Sequence, residues 1–283
     1  MIDGKTRTCA LLGNPVEHTL SPVIHNTLAK RCGINMVYVP FLVEGEQVRQ
    51  AVEGAWALNL LGVNVTVPHK SAVIPFLSGI DREASCIGAV NTLVRTEQGF
   101  CGYNTDLSGL YRALLAEGIS VSGEEVILLG AGGAARAAAF LCALRGAKQV
   151  YLLNRSLEKG EAVAREVNEK AGRCCIRAMG LDGWKQLAGD QYLVIQGTSV
   201  GLAPHTEEAV IEDPGFYRLV HTGYDLIYRP ADTKFMRLVR AAGGKACNGL
   251  KMLLFQGVEA FELWTGVSVR EDHFLVVPHN MVD

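Results

Sequence analysis

The sequence lacks several features that mark common classes of protein. Its 27 basic and 29 acidic residues give a net charge of −2, so there is no basic surplus for binding nucleic acid. No apolar run reaches the length of a membrane span, and the first residues lack the apolar core of a signal peptide. The 8 cysteines include no C-x-x-C pair and the 7 histidines show no metal-binding spacing, so no metal is expected. We therefore expect a cytoplasmic globular protein with reduced cysteines and small-molecule ligands, either a monomer or a homodimer.

One stretch near the middle of the chain has the pattern of a dinucleotide site. The apolar run from Val126 to Leu129 predicts a buried parallel strand, and the run from Arg136 to Leu144 predicts a helix. Between them lies a Gly-x-Gly-x-x-Ala turn formed by Gly130, Ala131, Gly132, Gly133, Ala134 and Ala135. The first glycine permits the tight turn, the second lets the backbone approach a pyrophosphate, and the helix N-terminus offers unpaired N–H groups to that anion. The pattern predicts a nucleotide-binding domain.

Strands and helices alternate after this turn, which indicates a parallel sheet with right-handed crossovers. The strands are predicted over 149–153, 174–177, 192–196 and 221–227, and the helices over 157–171, 181–188 and 231–242. The first of these strands ends in Asn154, Arg155 and Ser156, with no acidic residue at the end itself. Because arginine suits a 2′-phosphate, this end favours NADP over NAD, although a solvent-facing arginine is the alternative. Thr198 lies in a later loop that is either a plain connection or the loop beside the nicotinamide.

The first half of the chain places polar residues at predicted strand ends. Thr19 and Ser21 follow a strand over 6–12, where open α/β sheets bind ligands, but Ser21 before Pro22 is an equally good helix cap. Asn64 and Thr66 alternate with valines, and such a buried polar row needs hydrogen-bond partners from the protein or from a ligand.

Lys70 follows that row directly and comes after a proline. An arbitrary lysine is usually a solvated surface charge, whereas a partly buried one at this place can perform acid–base chemistry.

Three further polar residues are candidates, and two of them, Asp106 and Gln256, have two interpretations each. Asp106 precedes an apolar helix, so it either caps that helix or offers a carboxylate that binds a substrate hydroxyl and pairs with Lys70. Asn91 lies in a strand predicted over 87–94. Gln256 lies in a long helix over 248–264 that is apolar on most faces, so its amide needs either a partner in the core or a ligand.

Eight motifs in order make nearly the whole chain resemble the shikimate dehydrogenase family, which includes the quinate/shikimate dehydrogenases. The motifs are Gly13-x-Pro15 with His18-Thr19-x-Ser21-Pro22; Asn64-x-Thr66-x-Pro68-x-Lys70; Gly88-Ala-Val-Asn91-Thr92; Gly102-x-Asn104-Thr-Asp106-x-x-Gly109; Gly130-x-Gly132-Gly133; Asn154-Arg155-Ser156; Asp225-x-x-Tyr228-x-Pro230; and Gly249-x-x-Met252-Leu with Gln256-Gly257.

The resemblance implies an α/β fold with two domains. A substrate-binding catalytic domain would span 1–105 and be completed by 248–283, whose helix returns to it, and an NADP-binding Rossmann domain would span 106–247. Lys70 and Asp106 match the family's catalytic pair. The residues that match substrate-binding positions are Thr19, Ser21, Asn64, Thr66, Asn91, Tyr228 and Gln256. Those assigned to the cofactor are Gly130, Ala131, Gly132, Gly133, Ala134, Asn154, Arg155, Ser156, Thr198, Gly249 and Met252.

This chain departs from the family pattern at three positions. Thr19 stands where the family commonly has serine in the pair that holds the substrate carboxylate, which bears on the choice between shikimate and quinate. Gly197 and Arg229 stand where asparagine is frequent, and both changes touch the cofactor geometry.

The expected function is reversible NADP-dependent reduction of 3-dehydroshikimate to shikimate, a step in the shikimate pathway to chorismate and the aromatic amino acids. One alternative is a quinate/shikimate dehydrogenase with relaxed use of NAD and NADP. Another is a non-catalytic sensor of nucleotide and a small acid, which the presence of both Lys70 and Asp106 disfavours. A third, a Rossmann enzyme such as a folate dehydrogenase, would not need the polar set Thr19, Ser21, Asn64 and Thr66.

Overall fold

The computed structural model describes residues 2–189 and 191–270, and these residues form two compact units. The first unit holds the described residues up to Gly109 and again from Leu254, and the second runs from Leu110 to Leu253. Each unit contains a six-stranded sheet with helices between its strands, so the predicted α/β class is confirmed. No helix within the described ranges is both long and apolar enough to cross a membrane. Residues 271–283 of the predicted C-terminal segment lie outside the described residues.

The first unit contains a mixed sheet. Its elements are β1 (Arg7–Gly13), α1 (Ser21–Cys32), β2 (Met36–Leu42), α2 (Val48–Ala57), β3 (Gly62–Val65), β4 (Gly79–Ile80), α3 (Arg82–Ile87), β5 (Thr92–Thr96), β6 (Gly99–Tyr103) and the start of α4 (Thr105–Ala116). The strand order is β2-β1-β3-β5-β6-β4. β1 and β3 are parallel, whereas β5 is antiparallel to both β3 and β6. Because of these directions, the ends of β1, β3 and β6 and the start of β5 meet at one edge of the sheet.

The second unit is a parallel sheet with helices between its strands. Its elements are the rest of α4, β7 (Glu125–Leu129), α5 (Gly133–Leu144), β8 (Gln149–Leu153), α6 (Leu157–Ala171), β9 (Ile176–Met179), β10 (Tyr192–Gln196), α7 (Pro214–Tyr217), β11 (Val220–Asp225), α8 (Lys234–Ala241), β12 (Lys245–Cys247) and the start of α9 (Leu250–Thr265). The order β12-β11-β10-β7-β8-β9 is the order 6-5-4-1-2-3 within this unit. That order is typical of dinucleotide-binding sheets, which bind their ligand where the order reverses, between β7 and β10.

The core of the first unit includes the far end of α9. Trp264 on this helix is 6 % exposed and donates a hydrogen bond from Nε1 to Leu93 O at 2.9 Å. A methyl group on Gly62 would collide with the Trp264 ring, so glycine on β3 leaves the space that the indole fills. At Gly109 on α4, a Cβ would lie 2.7 Å from Gln256 N, so this glycine lets α4 and α9 pack backbone to backbone.

Most predicted elements form, and one prediction is wrong. The strand expected over 87–94 is divided: Ile87 ends helix α3, and the strand begins only at Thr92. Asp81 caps this helix by accepting from Glu83 N at 2.8 Å, and Gly88 ends it with a left-handed φ of 69°. These local signals stabilise a short helix where the apolar run suggested a strand.

Candidate active site

Lys70 and Asp106 form a close ion pair. Lys70 Nζ lies 2.6 Å from Asp106 Oδ2, and the two side chains are 30 % and 21 % exposed. The residues are 36 positions apart in the sequence. Lys70 follows β3 and Asp106 lies in the first turn of α4, which follows β6, so the shared sheet edge brings them together. A partly shielded ammonium and carboxylate at a strand edge can exchange a proton with a bound hydroxyl and orient it.

Asn104 leaves the Asp106 carboxylate free for this pairing. The Asn104 side-chain oxygen accepts from Asp106 N at 3.1 Å and from Leu107 N at 3.3 Å, so Asn104 caps helix α4. Asp106 therefore lies inside the first turn, and the interpretation of Asp106 as the cap is wrong. Asn104 Nδ2 also donates to Ala89 O at 2.9 Å, which fixes the cap to the preceding loop. Asparagine is as good a cap as aspartate, so the sequence alone could not choose between them.

Thr19 and Ser21 form a hydroxyl pair at the start of α1. Thr19 Oγ1 donates to Ser21 Oγ at 3.1 Å and accepts from Ser21 N at 3.2 Å. The helix begins at Ser21, and its N-cap residue, Leu20, makes no side-chain cap. The interpretation of Ser21 as only a helix cap is therefore wrong. Two hydroxyls beside the uncapped N-terminus of a 12-residue helix suit a carboxylate ligand.

Asn64 and Asn91 belong to one buried hydrogen-bond network. Asn64 Oδ1 accepts from Tyr38 Oη at 2.8 Å, and its Nδ2 donates to Asn91 O at 3.1 Å and to Thr92 Oγ1 at 3.0 Å. Asn91 Oδ1 accepts from Thr92 Oγ1 at 3.0 Å and from Thr105 N at 2.8 Å. No described residue accepts a hydrogen bond from Asn91 Nδ2, so this amide group remains available to a ligand. Tyr38, Thr92 and Thr105 complete a network that the sequence did not reveal.

Thr66, Gln256 and Tyr228 occupy different surroundings. Thr66 follows β3, half-buried, with its methyl group packed on Gly13. Gln256 lies on α9 against Gly109. Gly109 follows Asp106 by about one turn of α4. Tyr228 belongs to the second unit, three residues after β11. Eight of the predicted site residues belong to the first unit, and Tyr228 belongs to the second. The eight are Lys70, Asp106, Thr19, Ser21, Asn64, Thr66, Asn91 and Gln256.

The glycine turn after β7 is open as a phosphate site requires. Gly132, Gly133 and Ala134 are exposed, Ala131 is half-buried, and a Cβ at Gly132 or Gly133 would meet no atom within 4 Å. Gly130 has a left-handed φ of 105°, which favours glycine. Helix α5 starts at Gly133, and no side chain caps its first N–H groups. This turn can receive a pyrophosphate at the switch point of the sheet.

The end of β8 carries the three residues assigned to the adenosine side of a cofactor. Asn154 Nδ2 donates to Ser156 O at 2.8 Å, which braces the turn. Ser156 Oγ accepts from Lys159 N at 3.4 Å, so this hydroxyl caps helix α6. Arg155 is exposed, and no described residue pairs with its guanidinium group. A free arginine here fits a cofactor that carries a 2′-phosphate.

The loop after β10 packs against the glycine turn. A Cβ at Gly130 would lie 2.7 Å from Thr198 Cγ2, and one at Gly197 would lie 2.8 Å from Ala135 Cβ. Glycine at 197, where asparagine is frequent in the resembling family, thus allows the loop to touch helix α5. Thr198 Oγ1 donates to Gln196 Oε1 at 2.7 Å, so its hydroxyl is used within the loop.

Asp225 is a buried carboxylate that stabilises the loops after β10 and β11. This buried carboxylate accepts from Gln196 Nε2 at 3.2 Å, from Ile227 N at 3.0 Å and from Thr233 Oγ1 at 2.6 Å. Burial raises the pKa of Asp225 to about 6, and the hydrogen bonds oppose that effect. Gly249 packs its backbone on Leu226 and donates from N to Ile227 O at 3.0 Å, which fixes the start of α9 beside this loop, with Met252 in its first turn.

Comparison with known proteins identifies relatives over nearly the whole chain. Residues 11–93 match the model of the shikimate dehydrogenase substrate binding domain, and residues 249–274 match the shikimate 5′-dehydrogenase C-terminal domain. A shikimate dehydrogenase (NADP⁺) of Desulforamulus reducens is 44% identical over 287 aligned positions, covering 99% of this chain and 97% of the relative.

Two solved structures have the same fold. Shikimate 5-dehydrogenase from Listeria monocytogenes, in complex with shikimate and NAD, has a TM-score of 0.89 and 30% identity, with 96% of each chain covered. Shikimate 5-dehydrogenase from Thermus thermophilus, in complex with NADP(H) and shikimate, has a TM-score of 0.83 and 33% identity, covering 95% of this chain and 97% of that one.

Proposed function

The chain belongs to the shikimate dehydrogenase family, and from this membership we propose that its Lys70–Asp106 pair and the polar groups around it carry the family's reaction. The protein is an NADP-dependent oxidoreductase that acts on the CH–OH group of a cyclic hydroxy acid, reversibly reducing 3-dehydroshikimate to shikimate. The observation that carries the proposal is the 2.6 Å contact between Lys70 Nζ and Asp106 Oδ2 in a partly shielded setting.

Lys70 handles the proton of the reacting hydroxyl. In the direction of oxidation, a neutral Lys70 amine accepts the hydroxyl proton as the carbonyl forms. In reduction, the ammonium form donates a proton to the new alkoxide and stabilises its charge. Asp106 orients the hydroxyl and pairs with the ammonium form, so the two side chains act as one unit.

The remaining polar groups of the first unit hold the substrate. Thr19 and Ser21 bind its carboxylate, because two hydroxyls and an uncapped helix N-terminus lie together there. Asn91 donates to a ring hydroxyl through its available Nδ2 group. Thr66 and Gln256 contribute further hydrogen bonds. Asn64 supports this site by donating a hydrogen bond from Nδ2 to Asn91 O.

The second unit holds NADP, and its open glycine turn fits that cofactor. When bound, the nicotinamide exchanges a hydride with the substrate carbon. The turn from Gly130 to Ala134 and the N-terminus of α5 bind the pyrophosphate, and Arg155 clamps the 2′-phosphate. Thr198, Gly249, Met252 and Tyr228 line the loops proposed for the nicotinamide end. The domains expected from the sequence are 1–105 with 248–283 for substrate and 106–247 for cofactor. The compact units divide a few residues later at each boundary, after Gly109 and before Leu254, which leaves Asp106 with the substrate unit and Gly249 and Met252 with the cofactor unit.

Quinate is a second candidate substrate because of Thr19. Its hydroxyl contacts Ser21, and its methyl group is extra bulk in the carboxylate pair where the family commonly has serine. That bulk changes the fit of the ring carbon that bears the carboxylate, which is where quinate carries an additional hydroxyl.

A spectrophotometric assay decides among these activities. We expect reduction of NADP with shikimate at a kcat/KM well above that with quinate or with NAD. Preference for quinate would support the second candidate. No turnover in any of the four combinations of substrate and cofactor would overturn the enzyme assignment and favour a sensor.

A further inference from the structure

Tyr38 is a buried residue beneath the proposed substrate site, on a strand that contributes no residue to that site. It lies on β2, is 2 % exposed, and stacks on His25 with ring centroids 4.3 Å apart and planes 15° apart. β2 pairs with β1, and β1 pairs with β3, so the Tyr38 ring reaches beneath β1 to Asn64 on β3. Its hydroxyl donates to Asn64 Oδ1 at 2.8 Å.

The Ser21 side chain lies near the Tyr38 hydroxyl. Burial raises the pKa of Tyr38, and the nearby Ser21 side chain acts in the opposite direction. Ser21 in turn accepts from Thr19 Oγ1 at 3.1 Å. The Tyr38 hydroxyl therefore lies near the hydroxyl pair proposed for the substrate carboxylate and donates to the amide of Asn64.

From Asn64 the network continues to the other end of the substrate site. Asn64 Nδ2 donates to Thr92 Oγ1 at 3.0 Å, and Thr92 Oγ1 donates to Asn91 Oδ1 at 3.0 Å. Because the oxygen of Asn91 is held in this way, its Nδ2 group is the one left for a ligand. Tyr38, Asn64, Thr92 and Asn91 are all buried, with Asn64 the most exposed at 6%, so water competes little for these bonds.

His25 is a neutral neighbour of this network. Burial lowers the pKa of His25 to about 3, so the imidazole is neutral, and the nearby Asn64 side chain works against that effect. Around the ring, Tyr38 and Trp264 are aromatic, with the Trp264 centroid 5.0 Å away. The Asn64 amide therefore has a neutral neighbour in His25, and the Tyr38 hydroxyl donates to its oxygen.

We propose that Tyr38 is a positioning residue for substrate binding, which orients Asn64 and, through Thr92, presets Asn91 at the hydroxyl end of the substrate site. The proposal rests on the proposed function, since it assigns Tyr38 to the same substrate site. Preset hydrogen-bond donors save the cost of ordering them when the substrate binds, so the effect falls on affinity for substrate.

Tyr38→Phe removes only the hydroxyl and keeps the ring stacked on His25. We expect the KM for shikimate to rise about tenfold, or about 1.4 kcal/mol, with kcat changed less than about threefold and the KM for NADP unchanged. Tyr217→Phe is the matched control, because Tyr217 is equally buried in the second unit and its hydroxyl donates to Ile211 O at 2.5 Å. That variant should lose stability without a change in the KM for shikimate.

A pair of substitutions at Thr92 tests the network independently of Tyr38 and serves if Tyr38→Phe fails to fold. Thr92→Val removes the hydroxyl between Asn64 and Asn91 at constant shape, whereas Thr92→Ser keeps it. We expect the valine variant to raise the KM for shikimate and the serine variant to restore it. Wild-type KM values in Tyr38→Phe, or in Thr92→Val where Tyr38→Phe does not fold, would overturn this proposal while leaving the proposed function intact. An inactive wild-type enzyme would overturn both.

Discussion

Asp225 is a buried carboxyl group whose protonation should change the stability of the protein, and Asp225→Asn tests this. Asp225 is 0% exposed and receives three hydrogen bonds, from Thr233, Ile227 and Gln196. Burial raises the pKa of Asp225 from 3.8 to about 6. Asparagine keeps the shape and can use the same partners, because the Thr233 hydroxyl can turn to accept from the new amide.

The direction of the effect follows from the two pKa values. Between 3.8 and about 6, folded Asp225 holds a proton that the unfolded chain has released. Stability is therefore highest below the unfolded pKa and falls as pH rises through the folded pKa. The folded and unfolded pKa values differ by roughly two, and a difference of one corresponds to about 1.4 kcal/mol. Protonation of Asp225 therefore contributes about 3 kcal/mol in total to the free energy of unfolding. About 2 kcal/mol of this falls between about pH 4.5 and about pH 7.5.

Urea unfolding of the wild-type protein and of Asp225→Asn, followed by circular dichroism at several pH values, measures this difference. Every other titrating group is present in both proteins, so subtraction isolates Asp225. Relative to the variant, the wild-type protein should lose about 2 kcal/mol as pH rises across that range. A difference in unfolding free energy that stays constant with pH would refute the reasoning.

Substitutions at Thr233 provide a second check. Its hydroxyl donates to Asp225 Oδ2 at 2.6 Å and lowers the pKa of Asp225. Thr233→Val should therefore move the pH dependence upward, whereas Thr233→Ser should leave it in place. Thr233 also caps α8 through Met236 N at 3.3 Å, so the valine variant should lose about 1 kcal/mol at every pH as well.

The remaining predictions concern the catalytic pair, the cofactor and the packing of the cofactor loop. Lys70→Ala should lower kcat by about 10²- to 10⁴-fold with a much smaller change in KM. Lys148→Ala, at a surface pair with Glu125, should leave kcat unchanged, and near-wild-type turnover of Lys70→Ala would contradict the role of Lys70. Arg155→Ala should raise the KM for NADP about tenfold or more and leave the KM for NAD unchanged, and intact NADP use would count against the clamp. Gly197→Ala should lower the free energy of unfolding by about 1–3 kcal/mol in urea titration, because its Cβ would lie 2.8 Å from Ala135 Cβ. Gly180→Ala, with open space around it, should be neutral, and equal unfolding midpoints for the two variants would refute the packing argument.

The local sequence pattern was sufficient to predict those elements whose conformation depends on neighbouring residues. The strands Gln149–Leu153 and Tyr192–Gln196 and the helix Leu157–Ala171 occur at their predicted bounds, because apolar runs, the Ser156 cap and the Gly172 end agree with one another. The glycine turn after β7 is likewise a local feature: its backbone conformation requires glycine at 130, and no distant contact is needed to recognise it.

Competing local signals could not be resolved from the sequence. The segment from Ile87 to Asn91 is apolar enough for a strand, but the Asp81 cap and the Gly88 end assign its first residue to a helix. Asn104 and Asp106 are both good caps two residues apart, and only the folded chain shows that Asn104 performs this role. In each case the free-energy differences between alternatives are about 1 kcal/mol, which tertiary packing easily overrides.

By itself, the sequence determined the α/β class, the nucleotide turn and the inventory of polar residues that a substrate site needs. Tertiary structure alone decided which of them meet. Lys70 and Asp106 are 36 positions apart and pair because β3 and β6 end at one sheet edge. The link from Tyr38 through Asn64 to Asn91 crosses three strands. Hydrophobic periodicity and secondary-structure propensity describe residues that are neighbours along the chain. These hydrogen bonds depend instead on strand order, which long-range packing sets.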